Sequence, residues 1–438
     1  MNAADRFEPS PSEPSLAIDE VHHDPSAFES ICDFRIDLPK STREYNGHLL
    51  EFAGWVVGRH SPVDTLIIRN NFFTLASISA SVPRRDVPAA FPGLDYPITC
   101  GFNTVISLTG LPRKFQLTLA AITRAGQTIT LGYVVGRRAP IPPPDNYEPL
   151  PLLVTSLGRS GSSWIMHLLL QHPDITAYRR WPYELRGSPY WLQTFRSLVE
   201  HPHGLDQPSA LTVESGSWWG GSNPFGSAAL RAWFGNDYVV HVADFCRDSI
   251  QRFYKKIADI QDQPSARYFA EKIAPNSSQA KLLRELFPAA HEIILVRDFR
   301  DMVASILAFN RKRGYKAFGQ VLATTDEAYP FVLQESVMTL VEAVRENPNA
   351  LVVKYEDLVT KPATTLATIL AHLGTPHDTA AVEEMVRKAK VTTPEMEQHQ
   401  TSSSVDESVG RWRSEMPESL VAACREAFKE ALVEFNYV

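Results

Sequence analysis

The chain has 438 residues, 44% of them hydrophobic, 10% aromatic and 21% charged, with a net charge of −7. The length predicts two folded units rather than one, and the composition is that of a globular protein with enough apolar material for a core. A wholly disordered chain, a collagen-like chain, a small disulfide scaffold and a protein whose whole surface binds nucleic acid are all excluded.

The first thirty residues hold seven acids (Asp5, Glu8, Glu13, Asp19, Glu20, Asp24, Glu29) against Arg6, together with Pro9, Pro11, Pro14 and Pro25. This composition predicts a disordered acidic tail over residues 1–30. Cys32, Cys100, Cys246 and Cys424 are scattered and form no CxxC pair, which predicts buried free thiols and no metal site. The N-terminus lacks a signal-peptide pattern and no apolar run reaches membrane-spanning length, so a cytoplasmic location is expected.

Runs rich in β-formers follow over Leu49–Val57, Thr65–Arg69, Phe73–Val82, Thr104–Leu108, Phe115–Thr123 and Thr128–Val135. Several alternate apolar with polar, as half-buried strands do, and Arg124-Ala-Gly-Gln reads as a hairpin turn. Residues 31–138 are therefore expected to form a β-sandwich-like accessory domain. Residues 139–151 carry six prolines (Pro140, Pro142, Pro143, Pro144, Pro149, Pro151), a composition expected to exclude helix and central strand. This reads as a stiff linker.

From residue 152 the pattern becomes β-α alternation. Strands are expected at Leu152–Leu157, Ile293–Val296 and Leu351–Lys354, with helices at Ser162–Gln171, Asp298–Arg311 and Leu358–Leu373. The alternation predicts a parallel sheet with helices on both faces over residues 152–438.

Two strand ends carry the chemistry. The first strand runs into Gly158-Arg-Ser-Gly-Ser-Ser-Trp164 and then a helix. A helix N-terminus at the carboxyl end of a parallel strand offers free amides to an anion. Arg159 adds charge, Ser160, Ser162 and Ser163 add hydroxyls, and Gly158 and Gly161 allow close approach. The loop lacks Gly-Lys-Ser/Thr and so is not a Walker loop; taken alone it also fits a polar helix cap. The second strand end, Ile293-Ile-Leu-Val-Arg-Asp-Phe-Arg-Asp-Met-Val-Ala-Ser305, sets Arg297 at the strand terminus, with Ser305 about two turns into the next helix. Asp298 is positioned to cap that helix, and Arg300 and Asp301 read as structural ion pairs. An ordinary capped helix also fits this stretch. Two neighbouring anion sites suggest one ligand with two phosphate groups.

Together with Lys354-Tyr-Glu-Asp-Leu358 and Gly410-Arg-Trp-Arg413, these motifs make residues from about 150 to 438 resemble the sulfotransferases that use 3′-phosphoadenosine 5′-phosphosulfate (PAPS). Of its branches, the tyrosylprotein or Golgi-like one is the better match. The resemblance implies an α/β fold, a P-loop-like three-layer parallel sheet. It implies PAPS as co-substrate, no metal, and a hydroxyl-bearing acceptor (glycan, lipid or small molecule); the N-terminal β-domain resembles modules found beside glycosyltransferases in bacterial surface-polysaccharide clusters, which favours a glycan or glycolipid. It implies that Arg159, Ser160, Gly161, Ser162, Ser163 and Trp164 hold the 5′-phosphosulfate, that Arg297 and Ser305 hold the 3′-phosphate, that Tyr355 lies near the adenosine, and that Arg411 and Trp412 close over the nucleotide. Lys272 lies where the family often places a lysine near the sulfonate. The histidine base of the cytosolic branch is replaced here by Ile273, so the resemblance to the other branch implies Glu184 as base. Burial among Trp181, Tyr183 and Trp191 would raise its pKa.

His167 and His172 read as structural, and His241 as an outside candidate for the base. Trp218-Trp-Gly-Gly-Ser-Asn223-Pro-Phe225 reads either as a sugar-stacking wall or as a core cluster, and Thr401–Ser404 as a mobile loop that Arg411 orders when nucleotide binds. Two other functions stay open: a small-molecule or nucleotide kinase, and an inactive nucleotide-binding scaffold. A homo-oligomer is possible; no nucleic-acid partner and no membrane span are expected.

Overall fold

The computed structural model describes residues 15–45, 47–70, 73–90, 99–143, 147–199, 237–275, 278–391, 394–402 and 404–438. The chain divides into two compact units, residues 1–143 with 191–246 and residues 144–190 with 247–438.

Among its described residues the first unit holds ten antiparallel strands: β1 (Leu16–His23), β2 (Ile31–Leu38), β3 (Arg43–Tyr45), β4 (Leu49–Gly58), β5 (Val63–Asn70), β6 (Phe73–Ser79), β7 (Val82–Pro83), β8 (Thr99–Ser107), β9 (Lys114–Thr123) and β10 (Thr128–Arg138). A single helical turn, α1 (Val87–Ala90), precedes β8. They form a six-stranded sheet, β3-β1-β10-β9-β5-β6, and a four-stranded sheet, β2-β4-β8-β7. Alternation drives the layering: in β9, Phe115, Leu117, Leu119 and Ala121 are buried while Lys114 and Gln116 are exposed. Those side chains share one apolar core with Phe52 of β4 and Phe102 of β8, so both sheets contribute to it. The β9–β10 hairpin closes where expected, with Gly126 at φ +83° and its N–H donating to the Thr123 carbonyl.

The expected acidic tail is corrected over residues 15–30, while residues 1–14 lie outside the described residues. Residues 16–23 pair with both β10 and β3. Leu16 and Ile18 reach the core, while Asp19 leaves the face and pairs with Arg137 at 2.9 Å. The acids on the outward face hid the alternation. Cys100, Cys246 and Cys424 are buried free thiols, as expected, whereas Cys32 is only half-buried.

In the second unit, β11 (Leu150–Ser156), β12 (Ile175–Thr176), β13 (Tyr268–Ile273), β14 (His291–Val296) and β15 (Leu351–Lys354) form a parallel sheet in the order β12-β13-β11-β14-β15. Pro151, expected in the linker, belongs to the central strand. Pairing with β14 starts only at Leu152, so Pro151 has one neighbouring strand, β13, and its missing N–H disrupts little.

The helices are α2 (Ser162–Leu169), α3 (Gly187–Val199), α4 (Asp237–Ile260), α5 (Ser278–Leu286), α6 (Phe299–Arg313), α7 (Tyr329–Glu346), α8 (Tyr355–Thr360), α9 (Pro362–His372), α10 (Thr379–Ala389), α11 (Pro394–His399), α12 (Trp412–Glu415), α13 (Glu418–Ala427) and α14 (Lys429–Glu434). The division between the units falls within α3 and α4. On β14, Ile293 and Leu295 pack into the core with α2, α9 and α10, whereas Ile294 and Val296 pack with α6, α7, α13 and α14. Helices therefore cover both faces, and the strand is apolar from Ile293 to Val296 because neither face is wet there. The expected helix over 358–373 is broken at Lys361-Pro362 into α8 and α9, since Pro362 has no N–H to continue the ladder.

Candidate active site

The carboxyl ends of β11, β14 and β15 open onto one cavity of about 390 Å³. Its lining includes Gly158, Arg159, Gly161, Ser162, Ser163, Trp164, Glu184, Arg297, Ser305, Tyr355 and Arg411. All were singled out from the sequence.

The first wall is the turn from β11 into α2. Arg159 sits at φ +65° and Gly161 at φ +91°. A side chain on Gly161 would place its Cβ 2.3 Å from the Tyr355 ring, so only glycine allows this approach. Gly161 is the N-cap of α2 and offers no side-chain cap, and the first turn holds no acid. The positive end of the helix dipole therefore faces the cavity uncompensated.

The Arg159 guanidinium lies over Phe309 at 4.8 Å. Its Nε donates to Ser305 Oγ at 3.3 Å and its Nη2 to the His399 carbonyl at 2.8 Å. From β14, Arg297 Nη1 donates to the Arg159 carbonyl at 2.9 Å and Nη2 to the Ser408 carbonyl at 2.5 Å, with the guanidinium 4.6 Å over Tyr355. The two sites read separately from the sequence are thus parts of one. Among the described residues, neither arginine has a salt-bridge partner. Burial first, and Arg297 second, with Arg411 and Arg313 adding to it, push the Arg159 pKa down to about 10. Crowded, desolvated cations with no carboxylate between them are what an anion would relieve. Arg411 is better compensated: it pairs with Glu415 at 2.7 Å and donates to Thr401 Oγ1 and the Thr401 carbonyl, each at 2.9 Å.

The second wall carries Glu184; Lys272, an expected catalytic residue, is not among the lining residues and lies behind Ser163 and Pro182. Lys272 Nζ donates to Ser163 Oγ at 2.8 Å, to the Pro182 carbonyl at 2.5 Å and to Glu184 Oε1 at 3.4 Å. Burial lowers its pKa to about 8, against the opposing pull of Glu184. The neighbouring strand residue Glu271 is buried and accepts from the Gly187 and Ser188 amides and from Tyr254 Oη, fixing the start of α3. Glu184 is not buried as expected: its side chain is 57% exposed and faces the cavity beside Lys272.

Two expected ligands do not reach the cavity. Ser160 is buried beneath the turn. The Trp412 ring is sandwiched between Arg300 at 4.2 Å and Arg413 at 4.5 Å, holding α12 in place. Asp298 caps α6 as expected and pairs with Arg300, but Asp301 forms no ion pair among the described residues. It accepts the Gly410 N–H at 2.6 Å and the Trp412 N–H at 2.9 Å, so it anchors the segment that carries Arg411. His172 is structural: its Nδ1 accepts the Asp174 N–H and its Nε2 faces the Pro376 carbonyl. Trp218–Phe225 lies outside the described residues.

The sequence reading missed Phe309, His399 and Ser408. Phe309 is one helical turn beyond Ser305 and so on its face, which was a usable signal. His399 and Ser408 contribute carbonyls from the segment before Gly410, which residue identity does not reveal. His399 Nδ1 also accepts from Trp181 Nε1 at 3.0 Å.

Among the described residues, no helix is long and apolar enough to cross a membrane and no metal-binding group of acidic, cysteine or histidine side chains is present. No curated protein matches the chain. Solved structures similar to it include the sulfotransferase domain from the curacin biosynthetic pathway, at 16% identity and TM-score 0.40, covering 65% of this chain and 98% of that one. A mouse sulfotransferase, SULT7A1, complexed with PAP is 11% identical, with TM-score 0.38 and coverage of 67% and 90%. Retinol dehydratase in complex with androsterone and inactive cofactor PAP is 15% identical, with TM-score 0.34 and coverage of 74% and 90%. The sequence model described as the sulfotransferase family matches residues 151–380, just over half of the chain, and the protein belongs to that family.

Proposed function

We propose that the protein transfers a sulfonate group from PAPS to a hydroxyl acceptor and releases adenosine 3′,5′-bisphosphate. The observation that carries this reading is the convergence of Arg159, Arg297 and Arg411 on one cavity beside an uncapped helix N-terminus. Two phosphate-bearing ends of one nucleotide suit that arrangement, and a single small anion would leave much of the charge unused. Arg159, the α2 amides, Ser162 and Ser163 are assigned to the 5′ end, and Arg297 and Ser305 to the 3′-phosphate. Tyr355, with Oη 2.8 Å from Ser408 Oγ, fixes the floor between them.

PAPS supplies a sulfonate already bonded to a good leaving group. The chain's own residues supply the rest. Glu184 takes the proton of the acceptor hydroxyl as its oxygen bonds to sulfur, and the sulfur–oxygen bond to the 5′-phosphate breaks. Lys272, pinned by Ser163 and the Pro182 carbonyl, holds positive charge beside the moving sulfonate. Arg159 stabilises the charge that collects on the departing phosphate. No step needs a metal. A cytoplasmic location fits a co-substrate made from nucleotide.

The test is incubation with PAPS and a panel of glycans, phenols, peptides and lipids, with mass detection of an added sulfonate and of released bisphosphate. Sulfonated product supports the reading. Failure to bind adenosine 3′,5′-bisphosphate at all, or phosphoryl transfer from ATP in its place, would overturn it.

A further inference from the structure

The last turn of α6 and the segment after it read Arg311-Lys-Arg-Gly-Tyr-Lys-Ala-Phe-Gly-Gln-Val-Leu322. This stretch combines two unusual properties. Its apolar side chains stand in water: Tyr315 is 58% exposed, Val321 70% and Leu322 74%. The loop is nevertheless firmly built. Asn310 Nδ2 donates to the Ala317 carbonyl at 3.1 Å and to Gln320 Oε1 at 2.8 Å, and Tyr329 Oη donates to the Phe318 carbonyl at 2.7 Å. Phe318 is held at φ +55°, a strained conformation for a side chain of its size, and Gly319 at φ +78°. A turn fixed in this way presents Val321 and Leu322 outward by construction.

The loop is continuous with the cavity, because Tyr315, Ala317 and Phe318 line its mouth. Its exposed charge is cationic. Lys312, Arg313 and Lys316 flank the aromatic pair, with Lys312 Nζ also donating to the Glu397 and Gln400 carbonyls and Arg313 lying 5.5 Å over Phe309. Two exposed acids follow the segment: Asp326 accepts from Gln320 of the segment itself and Glu327 from Ser419, and both share a pocket with Arg311 and Glu415, so the cationic surplus is carried by Lys312, Arg313 and Lys316.

We propose that residues 312–322 dock the enzyme on an anionic lipid surface, from which a lipid-borne hydroxyl acceptor enters the cavity past Tyr315 and Phe318. The proposal rests on the reading of that cavity as the transfer site. Cations alone would fit any polyanion, but the outward aliphatic side chains of Val321 and Leu322 beside them gain free energy where an anionic surface has an apolar layer beneath its charge. Aromatic rings at the rim suit the headgroup boundary.

The experiment is co-sedimentation of the full chain with vesicles of phosphatidylcholine alone and of phosphatidylcholine with phosphatidylglycerol, alongside heparin as a soluble polyanion. The expected result is preferential binding to the anionic vesicles. Val321→Ser with Leu322→Ser should weaken it by roughly tenfold, and Lys316→Glu by about fivefold or more. Calorimetry with adenosine 3′,5′-bisphosphate should give wild-type affinity for both variants, which shows that they fold. No vesicle binding by the wild type, undiminished binding by the aliphatic variant, or binding to heparin without vesicle binding would each overturn the docking proposal. Loss of bisphosphate binding by the wild type would instead bring down the functional reading and leave the vesicle result to stand separately.

Discussion

The turn from β11 into α2 and the turn from β14 into α6 lie on neighbouring parallel strands, yet their helix N-termini are treated in opposite ways. The α2 terminus has glycine at its cap and no acid in its first turn, so its amides and dipole remain available. The α6 terminus is closed: Asp298 caps it, Asp301 sits in its first turn, and Glu356 accepts the Asp298 N–H. A closed terminus repels an anion, so at β14 the binding charge must come from a side chain, Arg297, and from Ser305 further along the helix. One topology thus yields an amide-based site and a guanidinium-based site, and one acid at the second, Asp301, holds the Arg411 segment.

This contrast can be broken in graded ways. Glu184→Gln, on the far wall, should leave both nucleotide sites intact and lower the transfer rate by about 10²–10⁴, the range for loss of a general base. Single-turnover rates alongside bisphosphate affinity check this, and a wild-type rate would move the base elsewhere. Gly161→Ala attacks the amide-based site, since its Cβ meets the Tyr355 ring and its φ is disfavoured. A loss of about 2–4 kcal/mol is expected in denaturant unfolding. Asp301→Ala attacks the guanidinium-based site from behind by leaving the Gly410 and Trp412 amides without their acceptor. It should cost about 1–3 kcal/mol and raise hydrogen exchange across residues 404–412 first. The smallest effect is in pH. Because burial holds the folded Lys272 pKa below its ordinary value, its charge is present below about pH 8 and lost above it. The kcat/KM profile should fall as pH rises through about 8, and Lys272→Arg, which keeps its charge, should flatten that limb.

The legibility of these features in the sequence follows from how local their causes are. The strands β11, β14 and β15 were visible because each carries a continuous apolar run, buried on both faces in β11 and β14, and the residues at their ends followed from topology. Strand β1 was not, because Asp19 and Glu20 interrupt its alternation while only Leu16 and Ile18 reveal the core face. Arg159, Arg297 and Tyr355 were legible as charges or rings at strand ends. The carbonyls of His399 and Ser408 were not, since a backbone acceptor has no residue signature. Trp412 was misread for a related reason: the motif showed that the segment matters, but only the packing of Arg300 and Arg413 on its ring shows that it holds the segment in place and that Arg411 faces the cavity.

The account stands most directly on whether both strand ends hold one ligand. Calorimetric titration of adenosine 3′,5′-bisphosphate into the wild type, Arg159→Ala and Arg297→Ala measures this. Each substitution should weaken binding by roughly tenfold to hundredfold, as expected for a charge-assisted hydrogen bond lost from a buried site. Wild-type affinity in both variants would contradict the shared site and the function built on it.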